Sequence, residues 1–146
     1  MDVKIWIYVL GTIKEQENKK IYCLGELVHN EEVINNLKEQ GIVFINSLDE
    51  VKENDNVIIR AHGVPKEIYI EAENKKINLI DYTCPNVLKI HDIAKEYCNK
   101  AYIILCGSKL HPENIGTISY CGEYYSVIED ISELNSIIEE YQKSNW

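Results

Sequence analysis

Short apolar runs alternate with helical patterns along most of this chain, and that alternation restricts the fold more than any other feature of the sequence. The apolar runs predict strands at residues 20–24, 42–45, 56–60, 79–82, 102–106 and 124–127. Helical spacing predicts helices at residues 30–41, 65–75, 86–99, 111–119 and 131–141. Continuous apolar strands that alternate with helices are typical of parallel sheets covered on both faces. We therefore predict an α/β fold in which helices flank mostly parallel sheets.

An internal sequence repeat divides the chain into two related parts. IYCLGELVHNEEV, from Ile21, and IILCGSKLHPENI, from Ile103, share one frame: an apolar strand, a glycine, three residues, a histidine, and a glutamate two residues later. Such a repeat predicts two small α/β units. We place the first at residues 1–84, lacking its opening strand, and the second, truncated, at residues 85–146. The segment VKIWIYVL, residues 3–10, fits either a strand or a helix.

Charge and composition exclude several classes of binding partner for this chain. The net charge is −9 and no basic run occurs, which argues against a nucleic-acid or anionic-membrane surface. The longest apolar runs are too short to span a bilayer, and no secretory pattern follows Met1. The five cysteines include no C-x-x-C pair, which is typical of a reducing compartment. We expect a cytoplasmic protein that handles a metabolite or binds another protein.

Chemically useful side chains cluster where predicted strands end. His29, His62, Cys84 and His111 all lie in such turns, and Glu113 follows in the first turn of a predicted helix. Parallel α/β sheets bind ligands beyond the carboxyl ends of their strands, where helix N-termini present unpaired N–H groups. A thiol at a helix N-terminus also favours its thiolate. These residues are therefore candidates for one site on the same side of the sheets.

Ordinary structural roles compete with this interpretation. A histidine in a turn is often a cap, and Glu113 would interact favourably with its helix dipole. Ordinary roles also explain a further set of residues. The cysteines in or beside apolar runs would behave as small hydrophobes: Cys23, Cys98, Cys106 and Cys121. Arg60 and Lys109 would be solvated charges, and His91 would be a packing or surface residue. The shared strand-end placement is what distinguishes the four site candidates.

Four motifs, in order, resemble the LytB/IspH family, the 4-hydroxy-3-methylbut-2-enyl diphosphate reductases of the methylerythritol phosphate route to isoprenoids. They are LGELVHN, VIIRAHGVPKEIY, IDYTCPNVLKIH and HPENIGT, and the resemblance covers about residues 19–141. It implies an oxidoreductase of three α/β units around a 4Fe-4S cluster. The reaction removes the substrate's hydroxyl with two electrons and two protons and yields isopentenyl and dimethylallyl diphosphates. An electron donor such as ferredoxin or flavodoxin is implied as a partner.

The resemblance also implies a role for each candidate residue. Cys84 is similar to one of three cysteine ligands of the cluster, His29, His62 and His111 to ligands of the substrate diphosphate, and Glu113 to the acid that delivers a proton. The other two cysteine ligands have no counterpart here, because no G-F-C-x-G-like turn precedes LGELVHN and no later unit follows. We therefore expect the chain alone to be inactive and to pair with the missing remainder or with itself. A truncated product, half of a split protein and an inactive remnant all stay open.

Two other classes of function stay open as well. One is a phosphate-binding α/β module without redox chemistry, and the other is an interaction fragment that docks with a separate unit. The position of the Cys84 thiol discriminates between the reductase and the binding module, since only the reductase needs that thiol beside the histidines.

Overall fold

The computed structural model describes residues 20–25 and 31–143. Its strands are β1 (Ile21–Leu24), β2 (Ile42–Ile45), β3 (Asn56–Ile59), β4 (Asn78–Asp81), β5 (Ile103–Cys106) and β6 (Tyr125–Ile128). Its helices are α1 (Glu31–Glu39), α2 (Lys66–Asn74), α3 (Pro85–Tyr97), α4 (Pro112–Ile118) and α5 (Glu133–Lys143). A 3-10 turn at Leu48–Glu50 was not predicted. The predicted strand or helix at residues 3–10 lies outside the described residues.

The described elements match the predicted alternation closely. Each predicted strand and helix from residue 20 onward is present, with ends that move by a residue or two. Every strand pairing is parallel, which confirms the predicted α/β class. None of these helices combines the length and the apolar character that a membrane crossing requires.

Contacts divide the chain into two compact units. One holds the described residues up to Gly63 together with Glu67–Cys84, and the other holds Val64–Lys66 together with the described residues from Pro85 onward. We call them the first and second unit.

The first unit is built on one four-stranded parallel sheet in the order β2-β1-β3-β4. All residues of the two central strands, β1 and β3, are buried, which explains why their sequences, apart from Asn56, are apolar or aromatic without alternation. One core cluster joins Leu37 of α1 to the sheet residues Ile21, Cys23, Ile42 and Ile58. Burial of this kind contributes about 25 cal/mol per Å² of apolar surface and fixes the carboxyl ends of the strands.

The second unit contains a two-stranded parallel sheet of β5 and β6. The buried residues of helix α3 are Val87, His91 and Ala94. Their spacing of four and three residues places them on one helical face. His91 is therefore a packing residue, and the solvent-exposed alternative is excluded. Gly116 and Thr117 of α4 are buried as well.

Candidate functional site

Main-chain hydrogen bonds between β3 and β4 continue past the ends of both strands. The N–H of Tyr82 donates to the carbonyl of Ile59 at 3.0 Å, and the N–H of Cys84 donates to the carbonyl of Ala61 at 2.9 Å. His62 follows Ala61 directly. The extended ladder therefore holds the backbone of Cys84 beside the turn that carries His62, at the carboxyl edge of the first sheet.

The turn that carries His62 is closed by its own backbone. The N–H of Gly63 donates to the carbonyl of Arg60 at 3.0 Å, and Gly63 has φ +73°. A positive φ is strained for residues with a side chain, so glycine suits this turn. His62 is half-buried here.

A second set of hydrogen bonds fixes the chain just before Cys84. One carboxylate oxygen of Asp81 accepts from both the N–H and the hydroxyl of Thr83, and the other accepts from the hydroxyl of Tyr69 at 2.8 Å. Thr83 is buried, whereas Cys84 is a half-buried free thiol. Pro85 then begins α3, so the thiol lies at the start of a helix.

In the second unit, His111 is the N-cap residue of α4. Its Nδ1 accepts a hydrogen bond from the N–H of Glu113 at 3.3 Å, and its backbone is extended, with φ −70° and ψ 132°. An imidazole that accepts through Nδ1 carries its proton on Nε2 when neutral, so Nε2 is a hydrogen-bond donor. The imidazole is exposed, and Glu113 is half-buried in the first helical turn.

The loop before His111 is shaped by Asn114, a residue that the sequence interpretation missed. Its Nδ2 donates to the carbonyl of Ser108 at 2.8 Å. A Cβ at Gly107, which has φ +136°, would lie 2.9 Å from the same nitrogen, so only glycine fits. An asparagine inside a helix, where its propensity is poor, was the available signal.

Arg60 also has a different role from the solvated charge considered above. Its guanidinium carbon lies 3.0 Å from where a Cβ at Gly25 would stand, so the side chain packs against the turn after β1. Burial raises the pKa of the nearby Cys23 thiol to about 12, and the charge of Arg60 opposes that rise. Arg60 is therefore a positive charge held at the carboxyl edge of the first sheet.

The predicted site residues fall into two described groups. The first unit brings His62 and Cys84 together, and the second brings His111 and Glu113 together. His29 lies outside the described residues, so its position stays a prediction. Within residues 20–25 and 31–143, no group of three or more His, Cys, Asp or Glu is arranged to hold a metal ion. These residues do not form a complete cluster site, and Cys84 fits only as a single ligand.

Comparisons with known proteins identify the family of this chain. The model of the LytB protein family matches residues 4–145. The chain belongs to the LytB family. This LytB chain is 40% identical, over 124 residues, to the 4-hydroxy-3-methylbut-2-enyl diphosphate reductase of Clostridioides difficile (strain 630), covering 84% of the chain and 44% of that relative. It is 41% identical, over 126 residues, to the enzyme of the same name from Alkaliphilus oremlandii, covering 86% of the chain and 45% of that relative.

Solved structures of such reductases have the same fold. One (E)-4-hydroxy-3-methyl-but-2-enyl diphosphate reductase, described as the terminal enzyme of the non-mevalonate pathway, matches with a TM-score of 0.77 at 33% identity. That match covers 91% of the LytB chain and 48% of the reductase. The Plasmodium falciparum reductase matches with a TM-score of 0.78 at 32% identity, covering 86% of the chain and 41% of the reductase. The LytB chain thus spans less than half the length of these relatives.

Proposed function

We propose that this chain contributes part of the active site of a reductase that converts 4-hydroxy-3-methylbut-2-enyl diphosphate into isopentenyl and dimethylallyl diphosphates. The observation that carries the proposal is the hydrogen bond between the Cys84 N–H and the Ala61 carbonyl, which holds the backbone of a free cysteine beside the His62 turn. A binding module without redox chemistry has no need of that thiol. Family membership supports the same reaction.

The histidines are proposed to bind the substrate's diphosphate. His111 can donate from Nε2 to a phosphate oxygen while its Nδ1 keeps the helix cap. His62 offers a second imidazole from a closed turn, and His29 would offer a third. Directed N–H donors of this kind matter in a chain of net charge −9, which otherwise repels an anion.

Glu113 is proposed to deliver a proton to the hydroxyl oxygen that leaves as water. Cleavage of the C–O bond consumes two electrons and two protons, and one proton must reach the departing oxygen. Glu113 is half-buried in the first turn of α4, where its backbone N–H is already bound by His111. Its carboxyl group is thereby held on the same helical turn as a proposed diphosphate ligand.

Cys84 is proposed to donate one thiolate to a 4Fe-4S cluster that supplies the electrons when bound. The thiol is half-buried and free, and Cys84 directly precedes a helix. The remaining ligands must come from elsewhere, and a ferredoxin or flavodoxin would reduce the cluster. The need for reduced thiols is consistent with a cytoplasmic location.

A phosphate-binding module without redox chemistry is the second candidate. The lack of a three-residue metal site among the described residues favours it. In that case His62 and His111 keep their roles, and Cys84 is only a packing residue at the start of α3.

Anaerobic reconstitution with iron and sulfide, in the presence of excess dithiothreitol, tests the cysteine assignment. Cys98→Ala is the matched control, since Cys98 is also a half-buried free thiol and donates to the carbonyl of Lys95 at 3.1 Å. We expect weak iron–sulfide absorption and a weak paramagnetic signal in the wild type, loss of both in Cys84→Ala, and retention in Cys98→Ala. Equal iron content in all three proteins would contradict the assignment. Diphosphate binding without any cluster would favour the second candidate.

A further inference from the structure

Helix α4 packs closely against its neighbours at Gly116. A Cβ placed there would lie 3.3 Å from Nε2 and 3.5 Å from Cε1 of His91, and 3.5 Å from the carbonyl oxygen of Val64. Contacts of 3.3 Å are tighter than ordinary van der Waals packing, so the missing side chain lets α4 rest directly on the imidazole. Gly116 is therefore one position that determines how closely α4 can approach α3.

The imidazole of His91 is held firmly enough to act as a support. It is 4% exposed, and its ring stacks on that of Tyr120 with centroids 4.7 Å apart and an interplanar angle of 23°. Tyr120 follows α4 in sequence, so the ring contacts α4 at Gly116 and the residues just beyond its end. A flat ring held in this way resists displacement better than a flexible side chain.

Hydrogen bonds connect this contact to the first turn of α4. The hydroxyl of Thr117 donates to the carbonyl of Glu113 at 2.8 Å. The hydroxyl of Ser119 donates to the carbonyl of Gly116 at 2.7 Å and accepts from the N–H of Lys66 at 2.9 Å. Glu113, Gly116 and Thr117 share one helical face. A shift at Gly116 is therefore transmitted to Glu113 and, through its N–H, to His111.

We propose that His91 is a positioning residue for Glu113 and His111, acting through its contact with Gly116. The importance of that position for catalysis rests on the proposed function, whereas the contact itself does not. His91 touches neither proposed group and is not itself a catalytic residue. Replacement of His91 or Gly116 should change the geometry of the His111 cap in a protein that remains folded.

Three variants test the proposal: His91→Ala, Gly116→Ala and the double variant. Alanine raises the helix propensity of position 116 by about 1 kcal/mol relative to glycine, so Gly116→Ala is expected to fold. His91→Gln replaces His91→Ala if the latter does not fold. Ile93→Ala is the matched control, because Ile93 is 49% exposed on the outer side of the same helix. The His111 ring nitrogens are observed by ¹⁵N–¹H correlation spectra, and affinity for inorganic diphosphate is measured by calorimetry.

Each single variant should shift the His111 nitrogen signals and weaken diphosphate binding by about tenfold, within the range of coupling between contacting residues. The double variant should recover much of the wild-type position of the His111 signals and much of the affinity for diphosphate. The reason is that the new methyl group at position 116 fills part of the space left by the imidazole. Ile93→Ala should match the wild type. Folded single variants with unchanged His111 signals would overturn the proposal. A wild type that does not bind diphosphate would defeat the proposed function, yet the His111 signals of the ligand-free proteins would still decide the positioning role.

Discussion

The Nδ1 atom of His111 accepts the backbone N–H of Glu113 at 3.3 Å, so a proposed ligand of the diphosphate and the proposed proton donor are joined by one hydrogen bond. The same imidazole caps α4 through Nδ1, whereas the proposed contact with the diphosphate would use Nε2. Helix capping and the proposed ligand binding would therefore use different atoms of one side chain, so substitutions can separate them.

Substitutions of His111 should separate its role as the N-cap of α4 from its proposed role as a ligand of the diphosphate. His111→Ala removes the cap and should lower the free energy of unfolding by about 0.5–2 kcal/mol. His111→Asn keeps a side-chain acceptor for the Glu113 N–H and should remain within a few tenths of a kcal/mol of the wild type. Both variants should lose most of their affinity for diphosphate, which calorimetry measures. Urea unfolding measures the free energy of unfolding of each variant. An asparagine variant that binds as tightly as the wild type would refute the ligand role of His111.

Acid stability should depend on Asp49 in the first unit. Hydrogen bonds from Lys75 and then Ser47 lower the pKa of Asp49, and Lys75 Nζ lies 2.5 Å from Asp49 Oδ1 and 2.6 Å from Glu71 Oε1. A lowered folded-state pKa stabilises the fold above the unfolded value of about 3.9, and the contribution is lost as pH falls through the folded value. Asp49→Asn should therefore be less stable than the wild type at neutral pH.

Urea unfolding at a series of pH values from 7 down to 2 checks this expectation. The difference between the wild type and Asp49→Asn should be present at pH 7 and should shrink steadily as the pH falls through the lowered pKa of folded Asp49. Glu123→Gln, an exposed position in the second unit, is the control. A difference in the free energy of unfolding that stays the same size across the whole series would contradict an ionic origin.

Strand positions were predictable where burial is complete, and less so at the sheet's edge. Strand β3 is buried throughout, so its apolar run indicated the strand directly. Strand β4 begins at Asn78 and ends at Asp81, both exposed, so an apolar run begun at Leu79 missed the first residue and ran past the last. Polar residues at an exposed strand end give no apolar signal.

The placement of the candidate site residues relative to the strands could also be predicted from the sequence. Alternating strands and helices place His62, Cys84, His111 and Glu113 beyond strand ends, whatever the details of packing. The hydrogen bonds of Asn114 and the contact between His91 and Gly116 depend on rotamers and on helix packing, which the sequence pattern does not specify. The spacing of Val87, His91 and Ala94 did indicate one helical face and could have revealed that His91 is buried.

Thiol reactivity should separate the cysteines by burial. Cys23 and Cys121 are fully buried, and burial raises the pKa of both thiols, that of Cys23 to about 12. At pH 8, a thiol of that pKa is roughly one part in ten thousand thiolate, and the thiolate is the reactive form. Limited labelling with a disulfide reagent, followed by mass spectrometry, should modify exposed Cys106 first and the two buried thiols only after unfolding in urea. Labelling of native Cys23 at the rate of Cys106 would contradict this order.

Titration of the ¹⁵N-labelled chain with isopentenyl diphosphate, followed by amide and histidine nitrogen signals, tests the central claim most directly. The account predicts saturable shifts at His62 and at His111 with Glu113, reduced in His62→Ala and in His111→Asn and unchanged in the control Glu123→Gln. Inorganic diphosphate should compete for the same residues. Shifts confined to residues away from both strand ends, or no shifts at millimolar ligand, would contradict the claim that these residues bind an isoprenoid diphosphate.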